Sequence, residues 1–544
     1  MTRLVRFVFW LVLLAPVVTV AGDWNEWRGP QRNGVVENGP PLVTNWPAEG
    51  PKRLWASEEE IPGDDTFGGY RGGGYSSVAV ADGRAYCLFI VPREVKLATR
   101  TLTVQKLSGL GWAAKKPPAD LLATAEVVRV SEERQALTNA AAVQAWAQKW
   151  VDQLPQDQKR SFGAYLITRL KQGKEARDLA LLDKLATITN TPFASQKALD
   201  SWFTENGIEG DFRKAVQSQI PEAETHRDTG VICLDAATGK TVWKKLFTGG
   251  LCLPIYENVP SSGTPCVVNG KVYVLGTSGM AFCLDAKTGD TVWNTMADDG
   301  RQRDNHCSFA VADGVAVAPV VPLTGFDAEI GKVLWTHDTK ATWSSPVMWR
   351  KDGRTYFVVR TGGKLLCLDP KPGTILWSLD DSTPDIIYAG STPVVEGDRL
   401  VLGGKCSVRL YKLSLEKAEQ VWNVDCPTDY CSSPTVYQGH VYVFARAGAS
   451  CIDLENGKVL WQDKEIKTGC YCSPIFADGK CFMQGAHNGA MVDGLLCMIG
   501  VSPEKGQVLA DSKFRQALCT TPAVVDGRMF CRTAKSIVCF DLRK

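Results

Sequence analysis

The stretch LDAATGKTVW at 234–243 returns along the chain as LDAKTGDTVW (284–293), FDAEIGKVLW (326–335), LDPKPGTILW (368–377) and IDLENGKVLW (452–461). A looser copy, YKLSLEKAEQVW, ends at Trp422. The closing tryptophans of these six units are spaced by 50, 42, 42, 45 and 39 residues. A period of about 40–45 residues filled with short β-type runs is typical of four-stranded propeller blades.

A second element with the same period precedes the tryptophan units. It reads SSPTVYQGHVYVFA at 432–445 and TTPAVVDGRMFC at 520–531. Its prolines recur at intervals of 47, 41, 40 and 48 residues and are Pro346, Pro393, Pro434, Pro474 and Pro522. Turn pairs such as Asp526-Gly527 accept positive φ and favour tight hairpins. Each unit therefore predicts four short antiparallel strands.

The tryptophan closes the predicted fourth strand, where a large apolar ring can pack between neighbouring sheets. We interpret these residues as structural rather than catalytic. They are Trp55, Trp243, Trp293, Trp335, Trp377, Trp422 and Trp461.

The repeat predicts a closed ring of eight blades. The last unit, 518–544, contains three strands and stops without a tryptophan, whereas PKRLW at 51–55 matches the end of a unit but has no upstream partner. We expect this N-terminal strand to complete the last blade, because closure removes an exposed sheet edge. The unit at 471–513 is a weak copy, with Ala510 at the tryptophan position.

Residues 95–228 lack the repeat and change to helical spacing. Helices are predicted at 136–154, 161–172, 175–188 and 197–205, the third with an apolar stripe of Leu179, Leu182, Leu185 and Ile188. This module separates the second and third strands of the first blade. It is either a decoration of the propeller rim or an arm or lid that binds a partner.

The N-terminus has the features of an export signal over residues 1–22. Arg3 and Arg6 precede an apolar run of about 14 residues, which is shorter than the roughly 20 needed to span a bilayer. We expect cleavage before Asp23 and export to the periplasm or the medium. The mature chain then divides into 23–94 (latch strand and start of blade 1), the helical insertion 95–228, and the rest of the propeller, 229–544.

Composition excludes some classes of partner and favours none. The net charge is +2 and 22% of residues are charged, so nothing indicates binding to nucleic acid. Five histidines are scattered and no C-x-x-C or H-x-x-x-H occurs, so no metal site is expected. We expect a monomeric propeller.

Eighteen cysteines in an exported chain invite a disulfide framework, but the repeat argues against one for many of them. Five occupy one position, directly before the hydrophobic-Asp pair, and are expected to be small fillers between sheets: Cys233, Cys283, Cys367, Cys451 and Cys539. Four others precede innermost strands: Cys307, Cys431, Cys472 and Cys519. The close pairs to test for oxidation are Cys426 with Cys431 and Cys470 with Cys472.

The x-D-x-x-T-G-x-x-x-W units resemble the tryptophan-docking repeat of the pyrroloquinoline-quinone (PQQ) propeller superfamily, and the opening DWNEWRGPQRNG (23–34) is similar to the start of exported bacterial members. The resemblance implies one of two classes. One comprises quinoprotein dehydrogenases that bind PQQ and Ca²⁺ over the channel. The other is non-enzymatic and resembles the scaffold lipoprotein of the outer-membrane β-barrel assembly machinery.

The dehydrogenase class implies a vicinal Cys-Cys disulfide, an acidic base and carboxylate and amide calcium ligands. This chain has no Cys-Cys dipeptide. No obvious cage of the six to eight oxygens that calcium prefers is present near the channel. Candidate ligand-binding residues at the channel mouth are Tyr75, Asp304, His306, Trp343, Arg360, Lys405, Arg446 and Tyr471. Arg360 and Arg446 hold equivalent positions and are expected to be solvated surface cations or a source of positive charge near one face.

These features predict an exported, non-catalytic binding or scaffold module for a protein or an envelope polymer, with no cofactor. One alternative is a PQQ-dependent oxidoreductase acting on alcohols or sugars. Another is a polysaccharide-binding propeller, for which exposed aromatics such as Tyr70, Tyr75, Trp343 and Tyr471 would be required.

Overall fold

The computed structural model describes residues 22–63, 73–98, 100–249, 263–297, 307–339, 342–381, 390–404, 406–428, 431–467, 472–486, 494–515, 517 and 519–544. The predicted signal segment lies outside these ranges. The chain divides into two compact units. One extends to Arg93 and resumes at His226, and the other covers Glu94–Thr225.

The first unit contains eight four-stranded antiparallel sheets. Blade 1 contains β2 (Ala79–Ala81), β3 (Arg84–Lys96), β4 (Ala223–Asp235) and β5 (Thr241–Phe247). Blade 2 contains β6 (Cys266–Val268), β7 (Lys271–Leu275), β8 (Met280–Asp285) and β9 (Thr291–Met296). Blade 3 contains β10 (Ala310–Ala312), β11 (Val315–Ala318), β12 (Leu323–Asp327) and β13 (Val333–His337). Blade 4 contains β14 (Val347–Lys351), β15 (Arg354–Thr361), β16 (Lys364–Leu368) and β17 (Ile375–Asp380).

The second half of the ring follows the same order. Blade 5 contains β18 (Val394–Glu396), β19 (Arg399–Gly404), β20 (Ser407–Leu413) and β21 (Ala418–Asp425). Blade 6 contains β22 (Thr435–Tyr437), β23 (His440–Ala445), β24 (Gly448–Asp453) and β25 (Val459–Asp463). Blade 7 contains β26 (Ile475–Ala477), β27 (Lys480–Ala486), β28 (Gly494–Val501) and β29 (Gly506–Phe514). Blade 8 contains β30 (Ala523–Val525), β31 (Arg528–Arg532), β32 (Ile537–Asp541) and β1 (Lys52–Ala56).

The terminal latch and the closed ring are confirmed. β1 pairs antiparallel with β32, with Lys52 opposite Asp541 and Ala56 opposite Val538. Each innermost strand contacts that of the next blade, and β30 of blade 8 contacts β2 of blade 1. The eight-bladed propeller predicted from the repeat is therefore the observed fold.

The repeat tryptophans join each blade to the next. Each indole Nε1 donates a hydrogen bond of 2.7–3.2 Å to a backbone carbonyl in the tryptophan unit of the following blade. Trp293, for example, donates to Ala328 and lies over Gly331, where a Cβ would come within 2.5 Å of the indole. Gly331 also has φ +70°, so the position favours glycine for both reasons.

The repeat cysteines lie opposite these tryptophans. On the third strands, Cys233 pairs with Trp243 and Cys367 with Trp377, and the other three follow the same register. All five are fully buried free thiols, as expected of apolar fillers. Cys426 is also a free thiol, so the predicted pairing with Cys431 is not formed, and Cys470 lies outside the described residues.

The junction between blades 7 and 8 departs from this pattern. Ala510 stands at the tryptophan position, opposite Met498. The carbonyl of Leu542, which corresponds to the indole acceptor of the other junctions, accepts the N–H of Val43 at 2.7 Å. Trp46 is buried in the same cluster as Ala510 and stacks on Phe482 at 6.5 Å. The N-terminal segment therefore contributes the packing that the repeat lacks here.

The inserted unit is helical, as predicted. Its helices are α1 (Val104–Gly109), α2 (Ala119–Val128), α3 (Glu132–Gln135), α4 (Ala140–Asp152), α5 (Gln156–Gln172), α6 (Leu179–Ala186), α7 (Gln196–Glu205) and α8 (Gly210–Gln219). They pack around two separate apolar clusters, one of which contains Leu182, Leu185 and Ile188 of the predicted stripe. Four helices were not predicted from the sequence: α1, α2, α3 and α8. No helix among the described residues is long and apolar enough to cross a membrane.

Candidate functional site

The innermost strands are joined by a closed circuit of hydrogen bonds around the propeller axis. In each blade one hydroxyl accepts the backbone N–H of the equivalent residue in the preceding blade, at 2.9–3.3 Å. The eight residues, called the hydroxyl ring here, are Ser77, Thr264, Ser308, Ser345, Thr392, Ser433, Ser473 and Thr521. All eight are buried. Their acceptor sites are therefore engaged within the protein.

The N-terminal segment 24–43, called the plug, crosses one end of this ring. Trp24 pairs with Val80 of blade 1 through two backbone hydrogen bonds of 2.7 and 2.8 Å. Val36 donates to Phe476 of blade 7 at 2.8 Å, and Val43 reaches Leu542 in blade 8. The segment also bonds carbonyls of blades 3 and 4 through Arg32 and a carbonyl of blade 6 through Arg28, so it reaches blades on opposite sides of the axis. The plug therefore closes the axis on the side of the Asp-Gly hairpin turns.

The plug carries a buried ion pair. Arg32 Nε donates to Glu26 Oε2 at 2.7 Å, and neither side chain is more than 3% exposed. The Arg32 guanidinium also donates to the carbonyls of Pro346, at 2.9 Å, and Phe309. Burial raises the pKa of Glu26, an effect that the charge of Arg32 opposes. The pair links the plug to blades 3 and 4 and engages the carboxylate of Glu26 inside the protein.

Arg28 is the second buried cation of the plug. Its Nη2 donates to the carbonyls of Pro434 at 2.8 Å and Asn33 at 3.0 Å and to Thr435 Oγ1 at 2.5 Å. Its guanidinium also lies 5.6 Å from the ring of Trp27. Burial lowers the pKa of Arg28 to about 9. Two guanidinium groups therefore occupy the end of the axis and bind mainly backbone carbonyls.

Arg360 was expected to be solvated, and that expectation is wrong. It is 1% exposed, and its Nε donates to Asp381 at 2.6 Å. Its Nη1 donates to the carbonyls of Ser391 and Gly403 in blade 5, at 3.0 and 3.1 Å. Arg409 donates to the other oxygen of Asp381 at 2.9 Å. Burial lowers the pKa of Arg360, and the charge of Asp381 opposes that effect. Arg360 therefore fastens blade 4 to blade 5.

The other predicted mouth residues are not gathered into one described site. Tyr75 is buried, Trp343 is half-buried and Arg446 is exposed at the turn between β23 and β24. Tyr70, Asp304, His306, Lys405 and Tyr471 lie outside the described residues. Within the described ranges, no three His, Cys, Asp or Glu side chains are grouped closely enough to hold a metal ion.

Neither the hydroxyl ring nor the plug was predicted from the sequence, although the sequence contains a signal of each. Every innermost strand is preceded by Ser or Thr at the same position of the repeat. The segment DWNEWRGPQRNG holds two arginines and one glutamate close together among glycines, outside any repeat. Only the structure shows which backbone carbonyls those arginines bind.

The family model described as outer membrane protein assembly factor BamB matches residues 227–401 and 367–493. The outer membrane protein assembly factor BamB of Escherichia coli (strain K12) is 28% identical over 168 residues, which cover 29% of this chain and 41% of that protein. The protein of the same name from Shigella dysenteriae serotype 1 matches with the same values. The match thus spans less than half the length of these curated relatives.

Solved structures that superpose on part of this chain include a BamB and a methanol dehydrogenase. BamB from Moraxella catarrhalis superposes with a TM-score of 0.43 at 15% identity, covering 57% of this chain and 88% of that one. A europium-containing methanol dehydrogenase superposes with a TM-score of 0.42 at 13% identity, covering 56% of this chain and 78% of that one.

Proposed function

We propose that this chain, a PQQ-like β-propeller that resembles the outer membrane protein assembly factor BamB, is a non-catalytic binding scaffold of the cell envelope. The observation that carries the proposal is the plug, which fills one end of the propeller axis with the chain's own residues. The names of the curated relatives refer to assembly of outer membrane proteins. We infer a comparable role here, in which the rigid ring holds a protein partner.

The chemistry around the axis favours binding over catalysis. General acid–base catalysis needs a side chain free to exchange a proton with substrate. Glu26 instead accepts from the buried Arg32, and the hydroxyl ring accepts backbone N–H groups. These polar groups are committed to holding the blades together.

A dehydrogenase would need a calcium ion and its quinone beside an oxygen-rich site. Calcium takes six to eight oxygen ligands, several of them carboxylates. The described residues instead place two guanidinium groups, Arg28 and Arg32, at the end of the axis, and Asp381 is engaged by two arginines. This donor set does not fit PQQ with Ca²⁺, so we propose that the chain binds neither.

Export and envelope location belong to the same proposal. Residues 1–22 would direct export and be removed, leaving Asp23 as the first residue. N-terminal sequencing of the protein purified from its host checks this directly. A mature chain that begins at Met1 would contradict it.

Affinity capture from cross-linked envelopes tests the scaffold role. The full chain is compared with a variant in which a short linker joins Arg93 to His226, which removes the inserted unit. Scaffold function predicts that one defined envelope protein is recovered in near-stoichiometric amounts with at least one of the two chains. Turnover of alcohols or sugars with a dye acceptor, and no captured protein, would refute the proposal.

A further inference from the structure

A groove of about 930 Å³ lies between the outer strand of blade 7 and the latch end of blade 8. One wall is the end of β29 with Lys513 and Phe514, and the other includes Arg53 of β1 and Val538 and Phe540 of β32. The hairpin 533–536 and residues 49–51 complete the lining. All of these residues belong to the propeller unit.

The groove lies at the junction where the repeat is broken. At the seven other junctions an indole crosses between the blades and donates to a carbonyl of the next blade. Here Ala510 replaces the tryptophan, and the fourth strand of the following blade comes from the N-terminus. Trp46 packs in the same cluster as Ala510, but its indole N–H makes no hydrogen bond to the next blade among the described residues.

The lining of the groove is strongly basic. Arg53, Lys513, Arg515 and Lys535 line it, against one carboxylate, Glu49. No described carboxylate lies within ion-pair distance of Arg53, Lys513 or Lys535. A solvated cation alone needs no explanation, but several on one concave surface attract an anionic partner.

Other junctions hold their charges in pairs. Cross-blade ion pairs link blades 1 and 2 (Lys245–Asp290, 2.9 Å), blades 5 and 6 (Arg399–Glu455, 2.5 Å), and blades 2 and 3 (Lys271–Glu329). Of the groove cations, Arg53, Lys513 and Lys535 have no such partner among the described residues.

The floor and the edge of the groove suit an extended peptide. Phe514 and Phe540 meet edge to face at 6.0 Å and give an apolar floor. β1 is the last strand of its sheet, and no other described strand pairs with its outer edge. An added strand gains main-chain hydrogen bonds from such an edge, and neighbouring pockets select its alternate side chains.

We propose that this groove binds an extended acidic segment of a partner protein, which adds to the edge of β1 and places carboxylates against Arg53, Lys513 and Lys535. This rests on the proposed scaffold function and names the chemistry of its partner. An anionic polysaccharide could meet the same cations, but it has no amide groups to pair with a strand edge. The free edge and the phenyl floor therefore favour a peptide.

The test uses a fluorescent decapeptide in which Glu alternates with Val, so that all carboxylates of the strand lie on one side. Anisotropy titrations compare the full chain with the variants Lys513→Glu and Lys371→Glu. Lys371 is an exposed lysine at a turn of blade 4 and is the matched control. We expect saturable binding that weakens with added salt. We expect about tenfold weaker binding for Lys513→Glu and no change for Lys371→Glu.

Three results would overturn the proposal. They are no saturable binding of the acidic peptide, equal loss in both variants, or equal binding of a decapeptide with Lys in place of Glu. Preferential binding of polygalacturonate over the peptide, lost in Lys513→Glu, would replace the peptide with a glycan. Circular dichroism and the urea midpoint confirm that Lys513→Glu is folded.

The groove proposal and the scaffold proposal can be refuted separately. If envelope capture recovers a partner equally well with Lys513→Glu and with the unmodified chain, the groove proposal falls and the scaffold proposal stands. If the chain proves to be a dehydrogenase, the scaffold proposal falls whatever the peptide does.

Discussion

Replacing Thr392 by valine tests whether the hydroxyl ring fastens the blades. Valine keeps the shape of threonine and removes the oxygen that accepts the N–H of Ser345 at 3.0 Å. Both residues are almost fully buried, at 1% and 4% exposure, so water cannot replace the lost acceptor without a local opening. A buried donor left without a partner costs about 1–3 kcal/mol.

Hydrogen exchange followed by mass spectrometry measures this loss locally. Since about 1.4 kcal/mol corresponds to a factor of ten, the amide of Ser345 should exchange about 5 to 150 times faster in Thr392→Val. The urea midpoint, followed by tryptophan fluorescence, should fall as well. Thr374→Val is the control, because Thr374 lies exposed on a turn of blade 4. If the two variants exchange and unfold alike, the ring does not contribute to blade cohesion.

Three further predictions concern the blade contacts, the plug and the repeat thiols. Trp293→Ala should destabilise the propeller by about 3–5 kcal/mol, since it removes a buried indole; an unchanged urea midpoint would contradict the docking role. Arg32→Met should cost about 3–5 kcal/mol by leaving Glu26 buried and unpaired. Combining it with Glu26→Gln should cost less than the sum of the two single changes, and additive effects would show that the pair is not coupled. Burial raises the pKa of Cys283 to about 12. Unfolded thiols ionise near a pKa of about 8.5, so stability should fall as pH rises above that value, and less steeply in Cys283→Ala. Equal slopes would refute this.

The propeller could be predicted because its information is local and repeated. Each unit carries its own turn residues, strand pattern and docking tryptophan, so one blade predicts the next. Even the latch was predictable, since Trp55 ends a unit that lacks its first three strands and blade 8 lacks its fourth. The propeller could therefore be predicted without knowing which distant residues contact each other.

The interior of the ring could not be predicted in the same way. Arg28 and Arg32 bind carbonyls that lie 406, 314 and 277 residues away, and a carbonyl has no sequence identity to recognise. Arg360 stands at a strand end that reads as solvent-exposed, yet its counterion Asp381 arrives from the end of the same blade. Polar side chains whose partners are backbone atoms leave little trace in a single sequence.

Several missed helices have a physical reason too. In α8 only Val216 is fully buried, so its sequence shows no apolar stripe. The helix α1 spans six residues, and Leu107 is its one buried residue. Packing within the inserted unit, rather than local periodicity, stabilises both.

Titration of the purified mature chain with PQQ and Ca²⁺, followed by the quinone absorbance, tests the central claim most directly. If the propeller is a scaffold whose axis is closed by its own plug, the spectrum should be the sum of protein and free quinone at every ratio. Saturable binding at one quinone per chain that depends on Ca²⁺ would contradict the account and establish a cofactor site.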